Sequence, residues 1–186
     1  MTADAASPAG AQEPLAFNLV VMGVSGSGKS TAGAALADRF DTDFIEGDQL
    51  HPAANVAKMA AGTPLDDNDR LPWLKAIGRR MAEADDAAKG IVVACSSLKR
   101  SYRDILRAAT RRPVIFIFLD GSHALLKERM LTRTSHFMPP SLLDSQLATL
   151  ERPTEDEDFI RIDLDGDIDA ELEAAADAIA ARPLAG

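Results

Sequence analysis

Gly23-Val24-Ser25-Gly26-Ser27-Gly28-Lys29-Ser30 fits G-x-x-x-x-G-K-[ST] in full. Glycines let a backbone curl until successive N–H groups face one point, and such a nest holds a phosphate chain. A helix opening directly after the loop would aim the positive end of its dipole at the same point. Lys29 adds a charge for the outer phosphates, and the Ser30 hydroxyl can ligate Mg²⁺. The expected nucleotide contacts are Gly23, Ser25, Gly26, Ser27, Gly28, Lys29, Ser30 and the following Thr31. A dinucleotide fits poorly, because Lys-Ser after the last glycine marks a nucleoside triphosphate site. The competing reading is a Gly/Ser turn that matches by chance.

The motif needs a strand before it and a helix after it. "FNLVVM", Phe17–Met22, is an apolar run suited to a strand buried on both faces, and a helix should run from Lys29 to about Phe40. "DFIEGD", Asp43–Asp48, reads as a second short strand, and Pro52 suits the first turn of a helix reaching about Ala60. The stretch "AGTPLDDNDR" is turn-rich, and Leu71 to about Ala84 reads as a helix. A strand "GIVVAC" then exits at Ser96 and Ser97, and a basic helix spans Lys99 to about Ala109. "PVIFIFLD" is the clearest buried strand, followed by a helix over Ser122–Arg133. "TSHFMPP" interrupts, "SLLDSQLATLE" resumes helical spacing, "FIRIDL" is the last strand and "IDAELEAAADAIAA" the last helix. This alternation predicts an α/β fold with a parallel sheet covered on both faces. Each strand's downstream end carries polar residues, where ligands of such sheets bind.

At 186 residues the chain suits one domain. Acidic residues exceed basic ones, 29 against 20, for a net charge of −9. That argues against a general nucleic-acid partner but leaves room for small anions. One cysteine, Cys95, permits no intramolecular disulfide and fits a reducing, cytoplasmic setting. No apolar run approaches the roughly 20 residues of a membrane helix, so no membrane partner is expected. Residues 1–16, rich in Ala, Pro and small polar residues, read as a disordered tail ahead of a single domain over 17–186, and lack the marks of a secretory signal.

No guanine-reading Asn-Lys-x-Asp segment is present, and "GIVVAC" does not end in the magnesium-binding Asp of motor ATPases. A short chain with an acidic residue after strand two points to a small-molecule kinase. "GDQLHPAANVAKMAAGTPLDDNDRLPWL", Gly47–Leu74, resembles the signature block of the P-loop gluconate kinases. "CSSLKRSYRDILR", Cys95–Arg107, is similar to their second block, and "HFMPPSLLDSQLATLE", His136–Glu151, to their lid region. The resemblance covers about Phe17 to Pro153. It implies a three-layer P-loop kinase fold shared with shikimate and adenylate kinases, with a mostly five-stranded parallel sheet, a helical substrate-binding region and a small lid at about 133–141. It also implies transfer of phosphate from ATP, with Mg²⁺, to O6 of D-gluconate, in a typically homodimeric enzyme. The alternatives are another small-molecule kinase of this fold, for shikimate or another sugar acid, or a nucleotide-binding protein without turnover.

On the acceptor side the resemblance makes Asp48 the group that orients the O6 hydroxyl and takes its proton, and that can help hold Mg²⁺ through water. A turn or helix-cap aspartate is the competing reading. His51, Asn55 and Lys58 share one helix face by i, i+4, i+7 spacing, which suits either substrate contacts from His51 and Lys58 or a solvated face. Arg70 follows Asp66-Asp67-Asn68-Asp69; Arg suits a carboxylate, and Asp66 can reach the polyol. Ser96, Lys99 and Arg103 lie near the exit of strand three, where the carboxylate of gluconate would find cations. On the donor side, Arg129 and Arg133 resemble the R-x-x-x-R pattern of this fold group, the first packing over adenine and the second reaching the phosphates as a catalytic cation alongside Lys29. His136 either touches the phosphates and substrate or caps its loop. Asp165-Gly166-Asp167 can border the adenine.

Overall fold

The computed structural model describes residues 14–132 and 141–183. Five strands form one parallel sheet in the order β2-β3-β1-β4-β5: β1 (Asn18–Met22), β2 (Phe44–Glu46), β3 (Val92–Ala94), β4 (Val114–Asp120) and β5 (Phe159–Asp163). β1 is central, with Val20 opposite Val93 on one side and Phe116 on the other. Every residue of β1, β3 and β4 is buried, which is why these strands read as unbroken apolar runs. The edge strands β2 and β5 are partly exposed.

Helices flank the sheet. α1 (Lys29–Arg39) and α7 (Ile168–Ala180) pack on each other and on the strands, while α3 (Asp67–Asp86) packs on α4 (Arg100–Ala108). α2 (Ala53–Ala60) follows a 3₁₀ turn at Gly47–Leu50, and α5 (His123–Thr132) and α6 (Ser141–Thr149) complete the described elements. At the N-terminal edge of the sheet, Asn18 donates to the Asp85 carboxylate at 3.0 Å and accepts from the Ile91 N–H at 3.2 Å. Asp85 also accepts from the Arg111 N–H at 2.7 Å. Polar contacts therefore close that end of the sheet, and the glycine-rich loop leaves β1 at the opposite end.

Two sequence expectations change. Leu15, assigned to the tail, is buried, and its carbonyl accepts from the Gly90 N–H at 2.9 Å. α3 begins at Asp67 rather than Leu71, because Asp66 and Asp69 form a capping box: the Asp69 N–H donates to Asp66 Oδ1 at 2.8 Å and the Asp66 N–H to Asp69 Oδ2 at 3.0 Å. Pro72 consequently lies inside the helix.

Candidate functional site

The loop from Gly23 to Gly28 joins β1 to α1. Gly23, Gly26 and Gly28 have φ of +146°, +83° and +92°, a region that side chains disfavour. α1 starts with Gly28 as its N-cap and no side-chain cap, so its first-turn N–H groups are not taken by a capping side chain. Lys29 folds back, donating from Nζ to the Val24 carbonyl at 3.1 Å. The exposed Ser30 hydroxyl donates to the Glu46 carboxylate at the end of β2.

The loop separates two hollows. On one side Ser27, Gly28, Thr31 and Arg129 line a cleft of about 480 Å³ with Gly166, Asp167 and Ile168, a size suited to a small organic ligand. Asp165 stands back from it. Its carboxylate instead accepts from the Ser122 N–H at 2.8 Å and hydroxyl at 2.9 Å, which holds the entry to α5.

On the other side Ser25 and Lys29 face a pocket walled by Asp48, His51, Arg70, Trp73, Ser96 and Gln146. The 3₁₀ turn that carries Asp48 presses against β3; a Cβ at Gly47 would lie 2.2 Å from the Ala94 carbonyl oxygen, so only glycine fits. Trp73 anchors the turn by donating from Nε1 to the Gly47 carbonyl at 2.7 Å. The Asp48 side chain is 57% exposed, and His51 is 4% exposed with Nε2 4.0 Å from Asp48 Oδ1. Burial pushes the His51 imidazole down to about 4, against the pull of the Asp48 charge, so the ring is neutral at ordinary pH. Arg70 is buried. Its Nε donates to the Leu65 carbonyl at 3.3 Å and its guanidinium lies 5.6 Å from the Tyr102 ring centre, yet no carboxylate pairs with it among the described residues.

Three expected acceptor cations are engaged elsewhere. Arg103 is buried and binds Glu157 at two points, 2.7 and 2.6 Å, while Nη1 donates to the Ser97 and Glu151 carbonyls. Its charge is neutralised inside the protein, which corrects the expectation that it meets substrate. Lys99 pairs with Asp67 at 2.8 Å and Lys58 with Asp69 at 2.7 Å; neither lines the pocket. Asp66 caps α3 and is likewise outside the lining. Arg133, His136 and the expected lid, Ser141 apart, lie outside the described residues.

Sequence reasoning overlooked Gln146, Trp73 and Glu46. Gln146 Oε1 accepts from the Ser25 N–H at 2.7 Å, which brings α6 onto the loop. A neutral amide in a helical run carries no mark of that. Trp73 had a signal in its position one turn after Arg70, though an indole at helical spacing reads first as core. Glu46 closes the strand that also delivers Asp48. Cys95 is buried, and burial raises its thiol to about 11, so it is chemically inert.

Residues 19–153 match the family described as AAA domain. A gluconokinase of Gluconobacter oxydans is 52% identical over 144 residues, covering 77% of this chain and 80% of that protein. The thermosensitive gluconokinase of Escherichia coli is 46% identical over 152 residues, covering 81% of each. The crystal structure of a gluconokinase from Sinorhizobium meliloti superposes with a TM-score of 0.80 at 47% identity, covering 90% of this chain and 94% of that one. With a glycine-rich loop of the phosphate-binding pattern set between two hollows, and with these relatives, the chain belongs to the gluconokinase family.

Proposed function

We propose that the protein transfers the γ-phosphoryl group of ATP to O6 of D-gluconate, giving 6-phosphogluconate and ADP. Arg70 carries the reading. It is a buried guanidinium on the pocket wall without a carboxylate partner among the described residues, and a buried cation needs one. The gluconate carboxylate supplies it, with the guanidinium fork suited to two-point binding. Asp48, on the same wall, orients the primary hydroxyl and accepts its proton as oxygen attacks phosphorus. Lys29 and the loop N–H groups hold the outer phosphates and stabilise the charge that builds on them. The nucleoside occupies the cleft lined by Thr31, Arg129 and Gly166.

The Ser30 hydroxyl beside the Glu46 carboxylate is a pair of hard oxygen donors at the loop, a set that suits Mg²⁺, which commonly takes one or two carboxylates and leaves other positions to phosphate and water. When bound there, Mg²⁺ would neutralise phosphate charge. We also read the enzyme as a cytoplasmic homodimer without nucleic-acid or membrane partners, supported by the family resemblance and the acidic surplus. Among the described residues no helix is long and apolar enough to cross a membrane.

A coupled assay with ATP and either D-gluconate or D-glucose tests the proposal. Both sugars offer a primary hydroxyl at C6, but only gluconate has a carboxylate for Arg70. The expected ratio of kcat/KM is at least about 10², from charge-assisted hydrogen bonds worth about 1.5–3 kcal/mol each. A ratio near unity overturns the assignment.

A further inference from the structure

Asn55 sits on α2 with its side chain buried under α3. Its Nδ2 donates to the Asp69 carbonyl at 2.7 Å and lies 3.3 Å from His51 Nδ1. The Asp69 carbonyl decides which end of the amide is nitrogen, because an amide oxygen there would face another oxygen. The second N–H of Asn55 is then left for His51 Nδ1, which must offer a lone pair. A ring with a lone pair on Nδ1 has its single proton on Nε2. That nitrogen lies 4.0 Å from Asp48 Oδ1, and His51 and Asp48 both line the pocket. The ring itself is held by stacking on Trp73, with centres 4.1 Å apart and planes 15° from parallel. Trp73 is held in turn by the Gly47 carbonyl.

We propose that Asn55 is a positioning residue that fixes His51 as the Nε2–H tautomer, so that His51 gives the acceptor pocket one directed hydrogen-bond donor. A donor at this point selects a substrate with a hydroxyl lone pair there and disfavours one presenting an N–H or a C–H. The substrate side of this inference rests on the reading of the pocket as the gluconate site. The tautomer does not.

Long-range ¹H–¹⁵N correlation spectra of the full chain, labelled at histidine, read the tautomer directly. Only His51, His123 and His136 contribute, and His51 is assigned by the signals lost in His51→Gln. The expected spectrum shows a bare, pyridine-like Nδ1 and a protonated Nε2. A protonated Nδ1, or two protonated nitrogens, overturns the proposal without any reference to gluconate. In Asn55→Leu, which keeps the bulk and removes the donor, the spectrum should shift toward the other tautomer. kcat/KM for gluconate should fall about 3- to 10-fold, the weight of one neutral hydrogen bond, with KM for ATP unchanged. An unaltered His51 spectrum in Asn55→Leu would remove Asn55 from this role. A protein with the expected tautomer that ignores gluconate would instead count against the substrate assignment.

Discussion

Arg103 and Glu157 form a two-point ion pair in which both side chains are 1% exposed. Nε donates to Oε2 at 2.7 Å and Nη2 to Oε1 at 2.6 Å, and Arg107 adds a further contact to the same carboxylate. The pair ties α4 to the segment between α6 and β5. Neither side chain is among those that line the pocket, so the pair acts on the packing of α4 and not on the pocket itself.

Arg103→Ala should be a stability lesion. Removing one partner of a buried pair costs about 3–5 kcal/mol, or roughly 6–20 °C in Tm for a domain of this size. KM for gluconate, measured where the variant is folded, should stay within about twofold. An unchanged Tm with a raised gluconate KM would put Arg103 back at the substrate.

Acid should erase the contribution of Glu157. Burial acts to raise its pKa, but the hydrogen bonds from Arg103 and Arg107 outweigh burial and bring it down to about 2. A carboxyl lowered in the folded state stabilises fully above its unfolded value, about 4.3, and loses that contribution as pH falls through the folded one. Urea midpoints of the parent and Glu157→Gln should converge between about pH 4.5 and pH 2. A gap that stays constant across this window would contradict the assignment.

Arg70→Lys should raise KM for gluconate about 10- to 100-fold and leave KM for ATP alone. Lysine keeps the charge but loses the planar fork that binds a carboxylate at two points. Equal weakening of both substrates would mean that Arg70 supports the pocket rather than binds the acid.

Lys29→Ala should lower kcat by about 10²–10³ with Tm nearly unchanged, since the side chain's value lies in charge placed on the moving phosphoryl group. Rate and Tm measured on one preparation separate this from simple unfolding.

Asp48→Asn keeps the size and one acceptor but cannot take a proton. kcat should fall far more than ATP affinity. A collapse of nucleotide binding, followed with a nonhydrolysable analogue, would assign Asp48 mainly to metal binding.

The parts of the protein that could be read from sequence are those whose residue types fix their own geometry. β4 is buried along its whole length, and "VIFIFLD" shows that without help from any other segment. Gly28-Lys29-Ser30 carries its chemistry in three adjacent residues. Asp48, His51 and Arg70 emerged from one block because turn, α2 and α3 are consecutive. Partners distant in sequence could not be read this way. Spacing puts Lys99, Arg103 and Arg107 on one helix face but does not say that Asp67 pairs with the first, or that Glu157, 54 positions after Arg103 in an acidic run, pairs with the other two. The start of α3 was hidden because its cap is a reciprocal pair of aspartates, Asp66 and Asp69, inside a stretch that reads as turn-rich. Gln146 is joined to Ser25 across 121 positions by a single amide oxygen, and no pattern in either segment requires it.

That amide oxygen gives the phosphate loop a resident stand-in for its ligand. The Ser25 N–H already has a good acceptor at 2.7 Å, so a phosphate oxygen that claims it exchanges one hydrogen bond for another instead of gaining one. The carboxamide oxygen that is displaced has then to be accommodated elsewhere on the same wall. The hydroxyl groups of a polyol in the adjoining pocket are suitable partners, since Gln146 belongs to that wall as well. The two hollows thus meet at one side chain, Gln146, which touches the loop and lines the pocket beside it. By reciprocity, whatever tightening gluconate confers on ATP, ATP must confer equally on gluconate.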